Sequence, residues 1–315
     1  MKRIYLIPAI GFSLFYGAAA NAVTPTINEV AKLIASDGAA SDYLGYSVAI
    51  DGDTAVVGAY GADALGSEAG AAYVFVRDSS GAWIQQQKIT ASDGAADDRF
   101  GWSVDVYGDT MVVGKESWDF FAPPPGAAYV FTRDSAGVWS EQQKLTAFDG
   151  EPGDYFGDAV AVSLDTIVIG ADGDDDGGSN TGAAYVYVRD SAGYWSLQQK
   201  VTASNGVDND SFGNVVDLDG DTAVIGTAGY YFDTDGTAVQ SGTAYAFTRD
   251  SNGVWTEQEL DPSVNVDTEW YGRAVAVSGE AISVGAYGDC QVDSFAGAAY
   301  LFNRDSAGVW TLQQK

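Results

Sequence analysis

A single motif returns five times along the chain and leaves few architectures open to it. An aromatic residue or leucine followed by glycine stands at Leu44-Gly45, Phe100-Gly101, Phe156-Gly157, Phe212-Gly213 and Tyr271-Gly272, so successive glycines lie 56, 56, 56 and 59 residues apart. Trp83, Trp139, Trp195, Trp255 and Trp310 keep nearly the same interval. A fixed period of about 20–50 residues marks a solenoid, a propeller or an array, and this one falls just above that range. Five copies of one unit account for almost everything after the N-terminus.

Each unit reads as β rather than helix. Short Val, Ile, Tyr and Phe-rich runs are divided by Gly, Asp and Ser, with no sustained 3.6-residue period. Strand A follows the aromatic-glycine pair (Ser47 to Ile50 in the first unit), and strand B is Thr54 to Gly58. Between them Asp51-Gly52 is a tight two-residue turn of the kind that wants a positive φ. Gly108, Gly220 and Gly279 repeat that glycine, whereas the third unit has Leu164. Strand C is Ala71 to Val76, and an Asp-Ser-x-Gly turn leads into strand D from Trp83. Side chains of Asp and Ser start such turns, and glycine closes them. Four antiparallel strands with short even turns make one propeller blade, so the expected fold is an all-β propeller of four-stranded blades over residues 23–315. Phe100, Tyr129, Phe131 and Trp139 are expected to fill the space between blades, and Gly126-Ala127-Ala128 to keep a strand thin where sheets approach.

The motifs Phe-Gly, Val-Gly-Ala (Val57 to Ala59, Val284 to Ala286) and Gly-Ala-Ala-Tyr-Val-Phe (Gly70 to Phe75, Gly126 to Phe131) resemble FG-GAP repeats. These build the β-propeller of integrin α-subunits and of many bacterial exported proteins. The resemblance covers Leu33 to Lys315 and implies adhesion, ligand binding or accessory roles beside enzymes. Integrin relatives carry a calcium loop between strands A and B. Here that connection is a tight turn in every unit, so the family's usual calcium sites do not carry over. Ile27 to Ala35 aligns with strand D, and the last unit stops within its own D strand. That surplus predicts five units of a larger ring, of seven blades by the resemblance.

Residues 1–22 read as an export signal: Lys2 and Arg3, an apolar run from Ile4 to Phe15, then Ala20-Asn21-Ala22 as a small-x-small cleavage site. No later apolar run approaches the roughly 20 residues that span a bilayer, so no membrane insertion is expected after cleavage, and the product is secreted, periplasmic or held at the surface. With 44 acidic against 15 basic residues, a net charge of -29, the chain is soluble and repels nucleic acid and anionic lipid. Cys290 is the sole cysteine, either a small buried hydrophobe or a reactive thiol. The absence of His excludes Ser-His-Asp, Cys-His and His-metal chemistry.

Three sets of candidate residues remain. Asp172, Asp174 and Asp176 alternate, Gly177 follows and Asn180 sits at the ninth position, a spacing that wraps calcium in an EF-hand, although Ala183 replaces the bidentate Glu. The alternative reading of the same loop is a flexible acidic segment of a very acidic protein. Asp105 and Asp217 stand in strand A where other units have Ala49, Ala161 and Ala276. They are either a carboxylate pair for glycosidic hydrolysis or structural hydrogen-bond acceptors. The third set follows from topology. A-B-C-D order sends the B–C and D–A loops to one face, and these loops vary. Trp118, Phe120, Phe121, Tyr230 and Tyr231 are candidate ligand anchors there, or plugs over the blade edges. Residues just after the aromatic-glycine pair vary too: Tyr46, Trp102, Asp158, Asn214 and Arg273, of which Trp102 and Arg273 join the candidates. The expected function is an exported, non-enzymatic binding or adhesion module that meets an extracellular protein or polysaccharide on this face. The rivals are a carbohydrate-active propeller enzyme and an accessory segment of a larger surface protein.

Overall fold

The computed structural model describes residues 31–116, 125–227, 242–262, 270–289 and 296–315, with the backbone alone at 231–232 and 238–239. Each repeat folds into one antiparallel sheet whose strands neighbour one another in chain order. The first blade is β1 (Val48–Asp51), β2 (Thr54–Ala59), β3 (Ala71–Arg77) and β4 (Trp83–Ile89). The second is β5 (Phe100–Tyr107), β6 (Thr110–Lys115), β7 (Ala127–Arg133) and β8 (Trp139–Leu145), and the third is β9 (Val160–Ser163), β10 (Thr166–Ala171), β11 (Ala183–Arg189) and β12 (Trp195–Val201). The fourth comprises β13 (Val215–Asp219), β14 (Thr222–Gly226), β17 (Ala244–Arg249) and β18 (Trp255–Glu259), with a small hairpin, β15 (Tyr231–Phe232) and β16 (Ala238–Val239), between β14 and β17. The fifth is β19 (Tyr271–Ser278), β20 (Ala281–Ala286), β21 (Ala298–Arg304) and β22 (Trp310–Gln314). First strands of adjacent blades touch (β1 with β5, β5 with β9, β9 with β13, β13 with β19), so strand A is the innermost in each sheet. The fold is a β-propeller of five blades.

The core lies between blades. Val56, Ala72, Val74 and Ile89 of the first blade meet Phe100, Val104, Val106, Tyr129, Phe131 and Trp139 of the second, and the next three joints repeat this arrangement. Phe100 sits edge-on to Tyr129 and Phe131, with centroids 5.5 and 6.0 Å away, the geometry that ring quadrupoles favour. Glycine is required where backbones cross from blade to blade. A Cβ on Gly101 would strike the carbonyl oxygen of Ala71, and one on Gly126 that of Phe156. Across each joint a glutamine holds the next tryptophan's backbone twice, as where Gln87 donates to Trp139 O (2.8 Å) and accepts from Trp139 N (3.0 Å).

Two local expectations shift. Asp51 pairs with Thr54, so the turn residues are Gly52 and Asp53, one position later than the sequence suggested. Gly52 has φ +59°, and Leu164 adopts φ +55° at the same place without glycine's freedom. Residues 31–35 form no strand; Leu33 and Ala35 pack instead against the first blade's outer face. That cover is partial, since Val48 is 53% exposed where its counterpart Val104 is buried. The far face of the fifth blade is open too: Leu301 is 43% exposed, against 0% for Val74 and Val130 in the same position. Among the described residues no strand of the first blade pairs with one of the fifth.

Candidate functional site at the axial mouth

The start of each innermost strand lies beside the end of strand B, on the face that carries the B–C and D–A loops. Two positions in every blade, and a third in four of them, meet there among the described residues. The first precedes the aromatic-glycine pair and takes a left-handed φ in every blade: Tyr43 (54°), Arg99 (50°), Tyr155 (55°), Ser211 (54°) and Trp270 (57°). Such a conformation is costly for bulky residues and persists only where the surroundings over-determine it. The second follows the glycine: Tyr46, Trp102, Asp158, Asn214 and Arg273. The third lies just past strand B: Tyr60, Glu116, Asp172 and Tyr287.

The second set is a continuous chain of contacts across all five blades. Tyr46 packs on Trp102 at 4.5 Å, and Trp102 Nε1 donates to Asp158 Oδ1 at 2.6 Å. Asn214 Nδ2 lies 3.5 Å from Asp158 Oδ2 and 3.0 Å from Asp172 Oδ2, while Arg273 Nη1 donates to Asn214 Oδ1 at 2.7 Å. At one end of the arc Tyr60 stacks on Tyr43 (4.9 Å) and meets Tyr46 and Trp102 edge-on (4.7 and 5.0 Å). At the other end Trp270 stacks on Tyr287 at 4.4 Å. Aromatic rings thus flank a middle of carboxylates.

Those carboxylates are poorly compensated. Burial, then the neighbouring Asp172 and Glu116, drives Asp158 well above the ordinary carboxylate range, against the Trp102 hydrogen bond and Arg273. Asp172 is raised by burial, opposed by Asn214 and Arg273. Glu116 is 6% exposed and its Oε2 has no hydrogen-bond partner. Burial pushes its carboxyl up to about 7, with Arg99 opposing and Asp172 adding. Arg99 Nη1 forms a long ion pair with Glu116 Oε2 at 3.8 Å, beyond hydrogen-bond reach, and its guanidinium is shared with Glu68 at 3.1 Å.

The alternating acidic loop divides among three hydrogen-bond systems. Asp172 joins the mouth, and Asn180 Nδ2 lies 3.4 Å from Asn209 Oδ1. Asp174 and Asp176 come together with Asp149, a group whose oxygens could hold a cation. Lys200 Nζ stands among them, 2.8 Å from Asp149, 2.7 Å from Asp174 and 2.6 Å from Asp176, and the Tyr185 hydroxyl, with one proton to donate, lies 2.8 Å from an oxygen of each of Asp149 and Asp174. Lys88 with Asp37 and Tyr73, and Lys144 with Asp93 and Tyr129, repeat this grouping, so the ammonium is a regular part of the blade. A calcium ion would have to displace it.

Asp105 and Asp217 lie between blades. Asp105 Oδ2 accepts from Val162 N and Asp217 Oδ2 from Val277 N, each at 2.7 Å, which ties one inner strand to the next. Of the aromatic loop candidates, Trp118, Phe120, Phe121 and Tyr230 lie outside the described residues, as does Cys290; Tyr231 lies in β15, of whose side chains nothing is described. Sequence reading placed Trp102 and Arg273 and missed Glu116 and Tyr60. The signal was there in the units' alignment, because the position two after the constant strand B glycine (Gly58, Gly114, Gly170) changes from Tyr60 to Glu116 to Asp172.

FG-GAP repeat sequences match residues 27–75, 83–131, 139–187, 195–247 and 255–302, each of the last four running from the fourth strand of one blade into the first three of the next. The chain belongs to the FG-GAP repeat family. No curated protein matches these FG-GAP blades. Among solved structures, they are similar to a protein from Lactobacillus plantarum (17% identity, 85% of this chain and 69% of that one, TM-score 0.50). They are also similar to an exo-1,5-α-L-arabinanase from a bovine ruminal metagenomic library (9%, 85% and 95%, TM-score 0.40) and to a periplasmic gluconolactonase of Pseudomonas aeruginosa (13%, 86% and 84%, TM-score 0.39). The first of these, at 17% identity, speaks to fold alone. No helix among the described residues is long and apolar enough to cross a membrane.

Proposed function

We propose that the protein is an exported binding module that captures an extracellular saccharide at the axial mouth. The observation that carries this reading is the unbroken arc of Tyr46, Trp102, Asp158, Asn214 and Arg273, one residue from each blade. Residues that merely fill a joint repeat from unit to unit, as Tyr73, Tyr129 and Tyr185 do. These five differ in every unit yet touch in sequence, as expected of a site assembled on a rigid repeated scaffold. Flat rings beside side-chain acceptors suit a sugar, which offers a C–H face to stack and hydroxyls to bond. The role of Asp105 and Asp217 as ties between strands favours capture over hydrolysis by that pair.

The test is a glycan and extracellular-protein array probed with the mature chain and with Trp102→Ala. Retained folding with loss of about 2 kcal/mol or more of binding, the scale of an aromatic anchor, is the expected outcome. Capture that survives Trp102→Ala, or turnover of a bound glycan, would count against it.

A further inference from the structure

Resting on that reading, we propose that the saccharide taken at the mouth carries a cationic amino group, which Glu116 receives beside Asp158 and Asp172 against the ring wall of Tyr46, Tyr60 and Trp102. Glu116 is the decisive residue. It is buried to 6% exposure, Oε2 lacks a hydrogen-bond partner, and the nearest guanidinium nitrogen, at 3.8 Å, belongs to an arginine already held by Glu68. A buried acceptor left unmade is costly, and a buried carboxylate more so. Its position at the mouth is set by the pairing of Lys115 with Phe100 at the start of β5, and by Arg99, whose guanidinium stands 3.8 Å from Glu116 Oε2 and 5.8 Å from the centre of the Tyr60 ring.

An ammonium group answers each of these features. It brings three donors to acceptor-only carboxylates, and its charge is attracted to the faces of Trp and Tyr rings. The net charge of -29 draws such ligands toward the protein at long range. A bare metal ion answers less well. Among the described residues, the three acidic groups whose oxygens lie within 4.8 Å of one another are Asp149, Asp174 and Asp176, around Lys200, and those of the mouth stand farther apart. Carboxylates spaced in this way, with rings on one side, fit an organic cation.

The experiment compares calorimetric titration of the mature chain with a glucosamine oligomer, its N-acetylated counterpart and oligolysine, at neutral pH, where a sugar ammonium and a carboxylate coexist, and low salt. The glucosamine oligomer should bind at least about tenfold tighter than the N-acetylated form, and Glu116→Gln should remove most of that difference. Trp102→Ala should abolish binding of the glucosamine oligomer, whereas Asp109→Asn, on the opposite short-turn face, should leave it in place. Equal affinity for the two sugars, no binding of the glucosamine oligomer, or a preference that survives Glu116→Gln would overturn the proposal. Oligolysine binding as tightly and indifferent to Trp102→Ala would also overturn it, by making the attraction one of general charge. The broader reading fails separately: Trp102-dependent capture of a neutral glycan would preserve the mouth as a site while removing the amino group.

Discussion

At the scale of single residues, the mouth stores an electrostatic cost. Glu116 titrates near 7 in the folded protein against 4.5 as its ordinary value. The folded state therefore holds this proton more tightly, and stability falls as pH rises from about 4.5 to about 7, with the full cost present above. Burial of this side chain bounds the cost at roughly 3 kcal/mol. Glu116→Gln should thus stabilise the protein at pH 8 and leave it nearly unchanged at pH 4, as read by urea denaturation at both pH values. Lys200 shows the opposite arrangement, a trio of carboxylates, with Asp174 buried and Asp176 exposed, already compensated. Millimolar calcium should shift the Tm of the wild type little, because the ammonium holds the position. In Lys200→Met it should raise the Tm, and adding Asp174→Ala should remove the gain, since a ligand bound only by the folded state stabilises it, by about 2.7 kcal/mol at a hundredfold excess over Kd.

At the scale of strands and blades, the glycines of the repeated pair are explained by close approach between neighbours. Gly157 and Gly153 share φ +100° but differ in surroundings. A Cβ on Gly157 would run into the Ala127 carbonyl oxygen of the preceding blade, whereas one on Gly153 meets nothing within 4 Å. Ala at Gly153 should cost only the conformational strain, about 1–2 kcal/mol. Ala at Gly157 should cost that plus a forced separation of two sheets, more than ~3 kcal/mol in total. Chemical denaturation of the two variants separates the terms, and equal losses would show that the interblade approach is not limiting. The ties from Asp105 to Val162 and from Asp217 to Val277 belong to this scale as well, joining inner strands that share no sheet.

At the scale of the whole molecule, stability is a sum over joints between nearest neighbours, as in other repeat proteins. The middle blades are covered on both faces, whereas the fifth leaves Leu301, Asn303 and Ala281 exposed. Hydrogen exchange should accordingly be faster in β20 and β21 than in β10 and β11, since less buried apolar contact means a lower free energy of local opening. Uniform protection across all five blades would contradict a nearest-neighbour account.

The periodic residues determined the architecture by themselves. Phe-Gly, Gly-Ala-Ala-Tyr and the turn glycines act within one unit or between identical surfaces, so spacing alone predicts four strands, their order and the face on which loops vary. Small shifts escaped, such as the turn at Gly52-Asp53, because turn register depends on which carbonyl and amide finally pair. The mouth was only half legible. Tyr46, Trp102, Asp158, Asn214 and Arg273 stood out as variable, but their contact depends on rotations between sheets that no spacing records. The calcium pattern illustrates the limit most clearly. Asp172, Asp174 and Asp176 alternate in sequence, yet the loop turns Asp172 toward Asn214, and the chain brings Asp149 and Lys200 from the preceding connection and strand β12 to the other two. Charge compensation across such distances is a property of the tertiary fold, because Coulomb interactions depend on where side chains end up and not on their order in the chain.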